Sequence, residues 1–286
     1  MNKKQQTQLI TQLKANHQPA RRPPMLLTVS KLESVGNSLM RVYLSGDPLL
    51  GFPIDSHAYH IKVFLPLPHQ TQPDLPYLEK GKVMWPSKQN KPITRTYTVK
   101  KFDPTTLTLQ VEFALHDHPG PACDWVKQCQ IGDKLGVAGP GGPYPILAPA
   151  DWHILAGDIT AIPAIIALIE NMPPNQHADV FLEVKHKQDI QKLNVSECIN
   201  VTWLVKKNNQ PSLLIEQTIN AIKPEFAESV SAFIGGEHSQ VVAIRDTLKQ
   251  KYNLNKSLLY AVPYWANGQN EEQYHQARHV VMDEEY

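Results

Sequence analysis

Residues 95–98 (Arg-Thr-Tyr-Thr) combine the side chains that a flavin nucleotide needs from a protein strand. Arg95 presents a fork of donors suited to a diphosphate, and Tyr97, one pleat further along, can lay its ring flat on an isoalloxazine. Thr98 offers a hydroxyl and a backbone N–H to the edge of the flavin ring. Alone the segment is a weak signal, because Tyr97 also suits a half-buried strand aromatic and Arg95 a solvated strand charge.

A second segment, residues 120–125 (Gly-Pro-Ala-Cys-Asp-Trp), follows later in the chain. Gly120 frees the backbone, and Pro121 suits the first position of a helix whose N–H groups would point at phosphate oxygens. An ordinary turn before a surface helix would look the same. Together and in this order, the two segments predict a flavin site.

The elements that must position these residues are, in the first half of the chain, short strands and turns. Strands are predicted at 26–33, 38–44, 57–65, 93–102 and 107–115. The last of these alternates apolar and polar residues strictly, as a half-buried antiparallel barrel strand does. Residues 66–92 contain six prolines and little periodicity, which predicts a long surface loop.

After residue 149 the predicted pattern changes to strands that alternate with helices. Strands are predicted at 152–156, 178–184, 200–205, 230–234 and 256–262, and helices at 161–171, 212–222 and 239–252. This alternation indicates a parallel sheet wrapped by helices. The first strand ends at Gly157, where the chain turns into a helix at the edge at which open α/β sheets bind ligands. A Gly-x-Gly-x-x-Gly motif is absent, so a tight turn without a ligand is the alternative.

In this order the segments resemble the siderophore-interacting proteins, which are flavin-dependent ferric-siderophore reductases related to the ferredoxin reductases. The resemblance runs from about Met25 to Trp265. The matching stretches are residues 60–64, 95–98, 118–122 with Trp125, 131–133, 139–142, 156–164, 235–237 and 264–265. Cys123, Gly141 and Ala266 depart from a family pattern that often has serine, a basic residue and arginine there. The last two departures remove positive charge near the expected place of an anionic chelate.

The resemblance implies an antiparallel β-barrel FAD-binding domain at 25–149 and a parallel-sheet NAD(P)H-binding domain at 150–263. An N-terminal extension (1–24) and a C-terminal tail (264–286) flank them. FAD is expected rather than FMN, since the helix start at Gly120 adds a second phosphate site to Arg95. The residues implied in cofactor binding are Arg95, Thr96, Tyr97, Thr98, His118, Gly120, Pro121, Ala122, Cys123, Trp125, Gly157, Asp158, Thr160, Ala161, Gly236, Glu237, Tyr264 and Trp265.

The activity that the resemblance implies is electron transfer from NAD(P)H through FAD to ferric iron in a siderophore, with release of Fe(II). Tyr97 and Thr98 would set the flavin at the reaction centre. Lys62 is the first candidate for contacting the substrate, although an outward strand lysine is an equal alternative. Two other functions stay open: a flavin or ferredoxin-type oxidoreductase with a protein or free-flavin acceptor, and a non-enzymatic ferric-siderophore binding protein.

A hydride carries two electrons whereas ferric iron accepts one, and a flavin bridges that mismatch. The chelate brings its own hard oxygen ligands, so the protein needs none. His275 and His279 lie four apart but lack a third ligand, and Cys123, Cys129 and Cys198 have no metal spacing. No metal site is therefore predicted.

The composition of the chain argues against several other classes of protein. The 286 residues suit two domains, and a net charge of +1 argues against a nucleic-acid binder. Residues 1–32 hold six basic side chains and no acid, and the last sixteen residues are acidic, so both ends are expected to be mobile and solvated. No apolar run in residues 1–30 predicts a signal peptide or a membrane span. The cysteine pattern favours a reducing cytoplasm, and we expect a monomer.

The residues after the second strand of a nucleotide-binding sheet often contact the adenosine ribose, so they bear on the choice between NADPH and NADH. Here Lys185, His186 and Lys187 follow Glu183 and Val184. Basic groups suit a 2′-phosphate, so charge favours NADPH over NADH, although Glu183 pulls the other way. An ordinary solvated strand end is the alternative.

Overall fold

A computed structural model of the chain describes residues 1–17, 22–80, 82–85, 87–207, 212–221, 229–269, 274 and 282. The elements in chain order are α1 (Lys3–Asn16), β1 (Met25–Val35), β2 (Leu39–Ser45), β3 (His60–Leu65), β4 (Tyr77–Glu79), β5 (Lys82–Met84), β6 (Ile93–Thr98), β7 (Lys101–Asp103), β8 (Thr108–Ala114), α2 (Pro121–Gln128), β9 (Lys134–Gly141), β10 (Trp152–Gly157), α3 (Ile162–Ile169), β11 (His177–Val184), β12 (Ile199–Val205), α4 (Leu214–Asn220), β13 (Val230–Glu237), α5 (His238–Tyr252) and β14 (Leu259–Trp265).

The chain forms two compact units. One is Gln18–Gly142, and the other joins Met1–His17 to Pro143–Tyr286. The change of unit therefore falls a few residues before the domain boundary predicted at 149, and the first residues of the chain belong with the second unit.

The unit Gln18–Gly142 is built on a seven-stranded antiparallel sheet in the order β6-β3-β9-β1-β2-β8-β7. The strand predicted over 93–102 is divided into β6 and β7 by a two-residue bend. Because β6 pairs with β3 at one end of the sheet and β7 with β8 at the other, the chain itself joins the two ends. The sheet curls accordingly, and the ring of Tyr97 on β6 lies 4.2 Å from that of Phe113 on β8, centroid to centroid.

The alternation of β8 is confirmed, with Leu109, Val111 and Phe113 fully buried. They join side chains from the other strands and from α2 in one core. Each such side chain removed from water contributes roughly 1.5–3 kcal/mol to folding. This core supports the inner side of β6, where Tyr97 packs against it.

Two further local predictions for this unit were wrong. The strand expected from residue 57 begins at His60, because the preceding turn includes Ala58 with φ of 69°. The loop expected over 66–92 contains a two-stranded hairpin, β4–β5, in which Tyr77 pairs with Met84 and Glu79 with Lys82. Strands of three residues leave too little periodicity to be recognised in the sequence.

The second unit has a five-stranded parallel sheet in the order β12-β11-β10-β13-β14, with α3, α4 and α5 between strands. All five predicted strands and all three predicted helices are confirmed. The last strand starts at Leu259 rather than 256, because Ser257 lies in a turn where its N–H donates to Oδ1 of Asn255 at 2.9 Å. The central strand β10 is buried along its whole length, as expected for a strand covered on both faces.

The N-terminal segment is not a solvated extension, as the sequence suggested, but helix α1 of the second unit. Its start is fixed by a capping box between Asn2 and Gln5. Gln6 and Ile10 are buried, and Nε2 of Gln6 donates to the carbonyl of Val230 at 3.3 Å. Asn-x-x-Gln was the sequence signal for this helix start.

No helix in the described part of the chain is long and apolar enough to span a bilayer. Across the same residues, no three His, Cys, Asp or Glu side chains form a metal-binding group. His275, His279 and most of the acidic tail lie outside the described residues.

Candidate functional site

Strand β6 places Arg95 and Tyr97 on one side and Thr96 and Thr98 on the other, as its pairing with β3 requires. Arg95 and Tyr97 are half-buried, Thr96 is exposed, and Thr98 is 9% exposed. Nη1 of Arg95 donates to the carbonyl of Thr94 at 2.9 Å, which holds the guanidinium along the strand.

Tyr97 begins a row of three aromatic rings. Phe113, fully buried, lies between Tyr97 at 4.2 Å and Trp125 on α2 at 5.6 Å, with tilts of 36° and 43°. Tyr97 therefore packs against the core, as the alternative interpretation had it, yet part of its ring is accessible. A ring fixed on one side by packing and accessible on the other can stack on a planar ligand.

Helix α2 begins at Gly120 with Pro121 in its first turn, as predicted. The first intrahelical donor is the N–H of Asp124, which reaches the Gly120 carbonyl at 2.8 Å, so the N–H groups of Ala122 and Cys123 have no helical acceptor. Such a helix start suits a phosphate. A Cβ at residue 120 would lie 3.1 Å from Cε1 of His116, so glycine allows this ring to pack closely.

The segment before α2 is attached to it by two side chains. Nζ of Lys127 donates to the His116 carbonyl at 2.6 Å, and Sγ of Cys123 contacts the backbone of the same residue at 3.4 Å. Cys123 is buried and His118 is exposed. The sulfur therefore points under the helix start, where it fixes the backbone rather than facing a ligand.

These groups fit FAD. A guanidinium fork, two half-buried aromatic rings and a helix start with orphan N–H groups are the donors and surfaces that a flavin and its diphosphate need. All of them lie within the unit Gln18–Gly142.

Lys62 is exposed on β3, and its Nζ donates to Oγ1 of Thr96 across the strand pair at 2.7 Å. His60 shares that face of the strand, and its ring lies against Gly141, where a Cβ would come within 3.1 Å of Nε2. Sequence reasoning did not assign His60. The two-residue spacing of His60 and Lys62 was the available signal, and the ring occupies the space beside Gly141.

In the second unit, the carboxyl edge of the sheet is closely packed around Ala161. A Cβ on Gly157 would lie 2.6 Å from Cβ of Ala161 and 2.8 Å from the Gly235 carbonyl oxygen. Only glycines at the ends of β10 and β13 allow α3 to approach so closely. The N-terminus of α3 is thereby fixed at this edge.

Asp158 lies inside that edge, only 6% exposed. Its oxygens accept hydrogen bonds from N and Oγ1 of Thr160 at 2.9 and 2.6 Å, from N of Glu237 at 2.8 Å and from Nε1 of Trp265 at 2.8 Å. Burial raises the pKa of Asp158, and the hydrogen bonds from Thr160 and Trp265 offset part of that rise. A Cβ on Gly236, whose φ is 133°, would come within 2.7 Å of Oδ2.

Glu237 is likewise occupied within the protein. Its Oε2 accepts from N of Ser239 at 2.8 Å, capping α5, and Oε1 accepts from N of Asn267 at 3.3 Å. Burial pushes the pKa of Glu237 up, but these hydrogen bonds outweigh it and the pKa is lowered. Asp158 and Glu237 thus join strand ends and helix starts, and Trp265, 41% exposed, is left with an accessible ring at the edge.

The charged side chains exposed after β11 are basic, which bears on the choice between NADPH and NADH as electron donor. Lys185 and Lys187 are exposed. Glu183 is 5% exposed and accepts a hydrogen bond from Oγ of Ser212, and burial raises its pKa. Glu183, the acid expected to offset the charge of these lysines, is therefore buried in the protein.

Comparison with known proteins agrees with this arrangement. Residues 28–144 match the model of the siderophore-interacting FAD-binding domain, and residues 150–268 that of the siderophore-interacting protein. The chain is 42% identical to the ferric vibriobactin reductase ViuB of Vibrio cholerae, over 92% of this chain and 97% of that protein. The chain belongs to the siderophore-interacting protein family.

Other members and neighbours agree with the family's fold. The siderophore-interacting protein SipS from Aeromonas hydrophila superposes with a TM-score of 0.81 at 34% identity, covering 92% of this chain and 99% of SipS. An NADPH-dependent ferric-chelate reductase of Escherichia coli is 32% identical over 51% of this chain and 56% of its own length. A ferredoxin-NADP+ reductase from Plasmodium falciparum, 14% identical, has a TM-score of 0.61 over 86% of this chain and 100% of its own, which shows a shared fold.

Proposed function

We propose that this protein is an FAD-dependent reductase that passes electrons from NAD(P)H to ferric iron in a siderophore and releases Fe(II). The observation that carries the proposal is one chain with two candidate nucleotide sites: the guanidinium, aromatic row and helix start of the first unit, and the carboxyl edge organised by Asp158 in the second. The named activities of its family relatives support the same reaction.

The electron balance explains why both sites are needed. NAD(P)H is oxidised to NAD(P)+ by loss of a hydride, and two ferric chelates each gain one electron. FAD, when bound, would supply the conversion of a two-electron hydride into single electrons, and the proton of the hydride would be released. Hard oxygen ligands hold Fe(III) more strongly than Fe(II), so the reduced metal leaves its chelate.

The side chains have distinct tasks in this proposal. Arg95 and the N–H groups at the start of α2 hold the diphosphate, and Tyr97 and Thr98 set the flavin ring. On β3, Lys62 offsets the negative charge of the chelate, with His60 beside it on the same face. Asp158 acts by fixing the carboxyl edge at which the nicotinamide nucleotide binds.

We also propose a cytoplasmic location and a monomeric state. Cys123, Cys129 and Cys198 are all free thiols, which fits a reducing cytoplasm. A monomer remains our expectation, and light scattering of the purified protein checks it.

The test is an anaerobic assay that offers one enzyme preparation a series of acceptors with NADPH or NADH. The acceptors are a ferric catecholate, a ferric hydroxamate, free flavin and a ferredoxin, and a colorimetric Fe(II) chelator reports iron release. Fastest turnover with a ferric siderophore and stoichiometric Fe(II) supports the proposal. Preference for free flavin or ferredoxin would assign a general reductase, and tight chelate binding without turnover would assign a binding protein.

The bound cofactor is identified on the same preparation. Heat-released flavin is separated by chromatography against FAD and FMN standards. FAD is expected, and recovery of FMN, or of no flavin from folded protein, would contradict the assignment of two phosphate sites.

A further inference from the structure

The β4–β5 hairpin carries a cluster of exposed apolar side chains. Tyr77 is 55% exposed, Val83 57%, Met84 37% and Trp85 40%, and all four lie within nine residues of sequence. Single exposed apolar residues are ordinary on a protein surface, but four on one small hairpin, with Tyr77 and Met84 paired across its strands, indicate an interaction surface. We name these four residues the hairpin patch.

Basic residues surround the hairpin patch. Lys80, Lys82, Lys88 and Lys91 are exposed, whereas Glu79 is the one acid among the described residues of 77–91. This local excess differs from the chain as a whole, whose net charge is +1. Nζ of Lys91 lies 4.7 Å above the ring of Trp85, so a basic group and an aromatic ring are adjacent on this surface.

The hairpin is anchored to the sheet beneath it. The ring of Trp85 meets that of Phe64 edge-on at 6.1 Å. A Cβ on Gly136 would lie only 2.3 Å from Cδ2 of Leu75, so the segment entering the hairpin packs directly on β9. The exposed side chains are therefore presented from a fixed position on the sheet.

We propose that the hairpin patch docks on the surface of an anionic lipid bilayer. Tyr77, Val83, Met84 and the exposed part of Trp85 would enter the headgroup region, with the lysines against lipid phosphates. Tyrosine and tryptophan favour that interface, and basic side chains are attracted to anionic lipids. Weak apolar insertion and electrostatic attraction together give the reversible binding typical of peripheral proteins.

A lipid surface suits the hairpin patch better than a protein partner does. A specific protein interface buries about 800 Å² on each side, with an apolar centre from which charges are depleted. Here the two short strands place Glu79 and Lys82 beside Tyr77, Val83 and Met84, and Lys80 lies in the turn between them. A bilayer interface accommodates that mixture without requiring a complementary shape.

Docking would bring the strand of the proposed substrate residue to the membrane. Phe64, the anchor of Trp85, shares β3 and one face of it with Lys62, roughly 7 Å away along the strand. A chelate at the membrane surface would then meet Lys62 directly. This consequence rests on the proposed function, but the docking itself does not.

Co-sedimentation with vesicles tests the proposal independently of any reductase activity. The full chain is mixed with vesicles of phosphatidylcholine alone, or of phosphatidylcholine and phosphatidylglycerol in equal parts, at low and high salt. We expect binding to the anionic vesicles only, weakened by salt. Val83→Ser with Met84→Ser, and separately Lys80→Glu with Lys82→Glu, should each lower the bound fraction at least fivefold.

Matched controls come from the same unit. Leu50→Ser with Ile54→Ser removes aliphatic side chains that are 73% and 62% exposed elsewhere, and Lys101→Glu changes an exposed lysine on β7. These variants should bind like the wild type, and all variants should keep their flavin and thermal midpoint. No binding of the wild type to anionic vesicles would overturn the proposal. Equal losses in controls and hairpin variants would do so too, because binding would then be non-specific charge attraction.

Discussion

Nε1 of Trp265, at the end of β14, donates a 2.8 Å hydrogen bond to Oδ2 of Asp158, which follows β10. The two residues are 107 positions apart, and β13 lies between their strands in the sheet. The same carboxylate also receives the Glu237 N–H after Gly236. One buried carboxylate thus sets the ends of three strands at the edge where a nucleotide is expected.

Asp158→Asn should therefore weaken both the second unit and its nucleotide site. The amide can keep the bonds from Thr160, but its NH₂ would face the N–H groups of Glu237 and Trp265. Leaving buried donors unpaired costs roughly 1–3 kcal/mol of unfolding free energy. We expect a lower thermal midpoint and a dissociation constant for NAD(P)H raised about tenfold, measured by calorimetry on the FAD-loaded protein.

Asp179 provides a matched control for this variant. It is also buried, and its Oδ2 accepts from Nε1 of Trp152 at 2.9 Å, but it lies on β11 away from the carboxyl edge. Asp179→Asn should lower the thermal midpoint similarly and leave nucleotide affinity unchanged. Equal losses of affinity in both variants would reduce Asp158 to a general stability role.

Tyr97→Ala should lower flavin affinity more than it lowers stability. The lost stacking is worth roughly 0.5–1.5 kcal/mol beyond area burial, or about two- to tenfold in the dissociation constant. Tyr97→Phe keeps the ring and should bind FAD nearly as the wild type does. Fluorescence titration of deflavinated protein measures the affinity, and its urea midpoint measures the packing against Phe113. Full flavin affinity in the alanine variant would mean that Tyr97 serves only the core.

Lys62→Ala should raise KM for an anionic ferric chelate and affect a neutral one less, because an exposed charge acts chiefly on a charged partner. The effect should shrink as salt is added, and Lys62→Arg should restore most of it. Lys101→Ala on β7 is the control. Equal losses with both chelates would indicate that the bond from Nζ to Thr96 stabilises the strand pair instead.

His153 predicts a pH dependence of stability. It is buried on β10, and Nδ1 lies 2.7 Å from Oγ of Ser231, whose own proton goes to the Ala148 carbonyl. Burial lowers the pKa of His153 from 6.5 to about 4. The folded state thus favours the neutral ring, so the stability it contributes is present above pH 6.5 and is lost as the pH falls towards 4.

That loss amounts to about 3 kcal/mol at most, from about 1.4 kcal/mol per pKa unit. His153→Gln removes the titration while keeping a neutral donor, so its urea midpoint should change less between neutral and mildly acidic pH. His69→Gln, at an exposed position, is the control. An unchanged pH slope in His153→Gln would assign the acid sensitivity to other groups.

Elements with a long hydrophobic pattern were predictable from the sequence, and those without one were not. The parallel sheet was predictable because β10, β11 and β13 are long apolar runs with helices between them. The bend that divides β6 from β7 was not, because the curling of a sheet is a property of all its strands. Helix α1 was missed because its basic, polar composition suggested solvation, although Asn2 and Gln5 formed a capping signal.

The sequence allowed candidate site residues to be selected, but not the packing and hydrogen bonds that the structure gives them. Glycines such as Gly157 and Gly236 mark close approaches that any glycine-rich strand end suggests. The buried state of Asp158 was hidden, because its partners Glu237 and Trp265 are distant in sequence. His60 was not assigned, because the role of a histidine on a strand depends on the residues beside it in the fold. Here those residues are Gly141 and Lys62.

The choice of electron donor gives the last prediction. Lys185 and Lys187 are exposed after β11, and Glu183, the opposing acid, is buried with Ser212. Exposed basic groups there suit a 2′-phosphate, so we expect kcat/KM to be higher with NADPH than with NADH. Lys185→Ala with Lys187→Ala should lower kcat/KM for NADPH about thirtyfold and leave the NADH value nearly unchanged, since two charge-assisted contacts of ~1 kcal/mol each are lost. Lys249→Ala with Lys251→Ala, in the last turn of α5, is the control and should change neither value. A wild-type preference for NADH, or an unaltered preference in the first double variant, would refute the assignment, because the lysines would then be a solvated strand end.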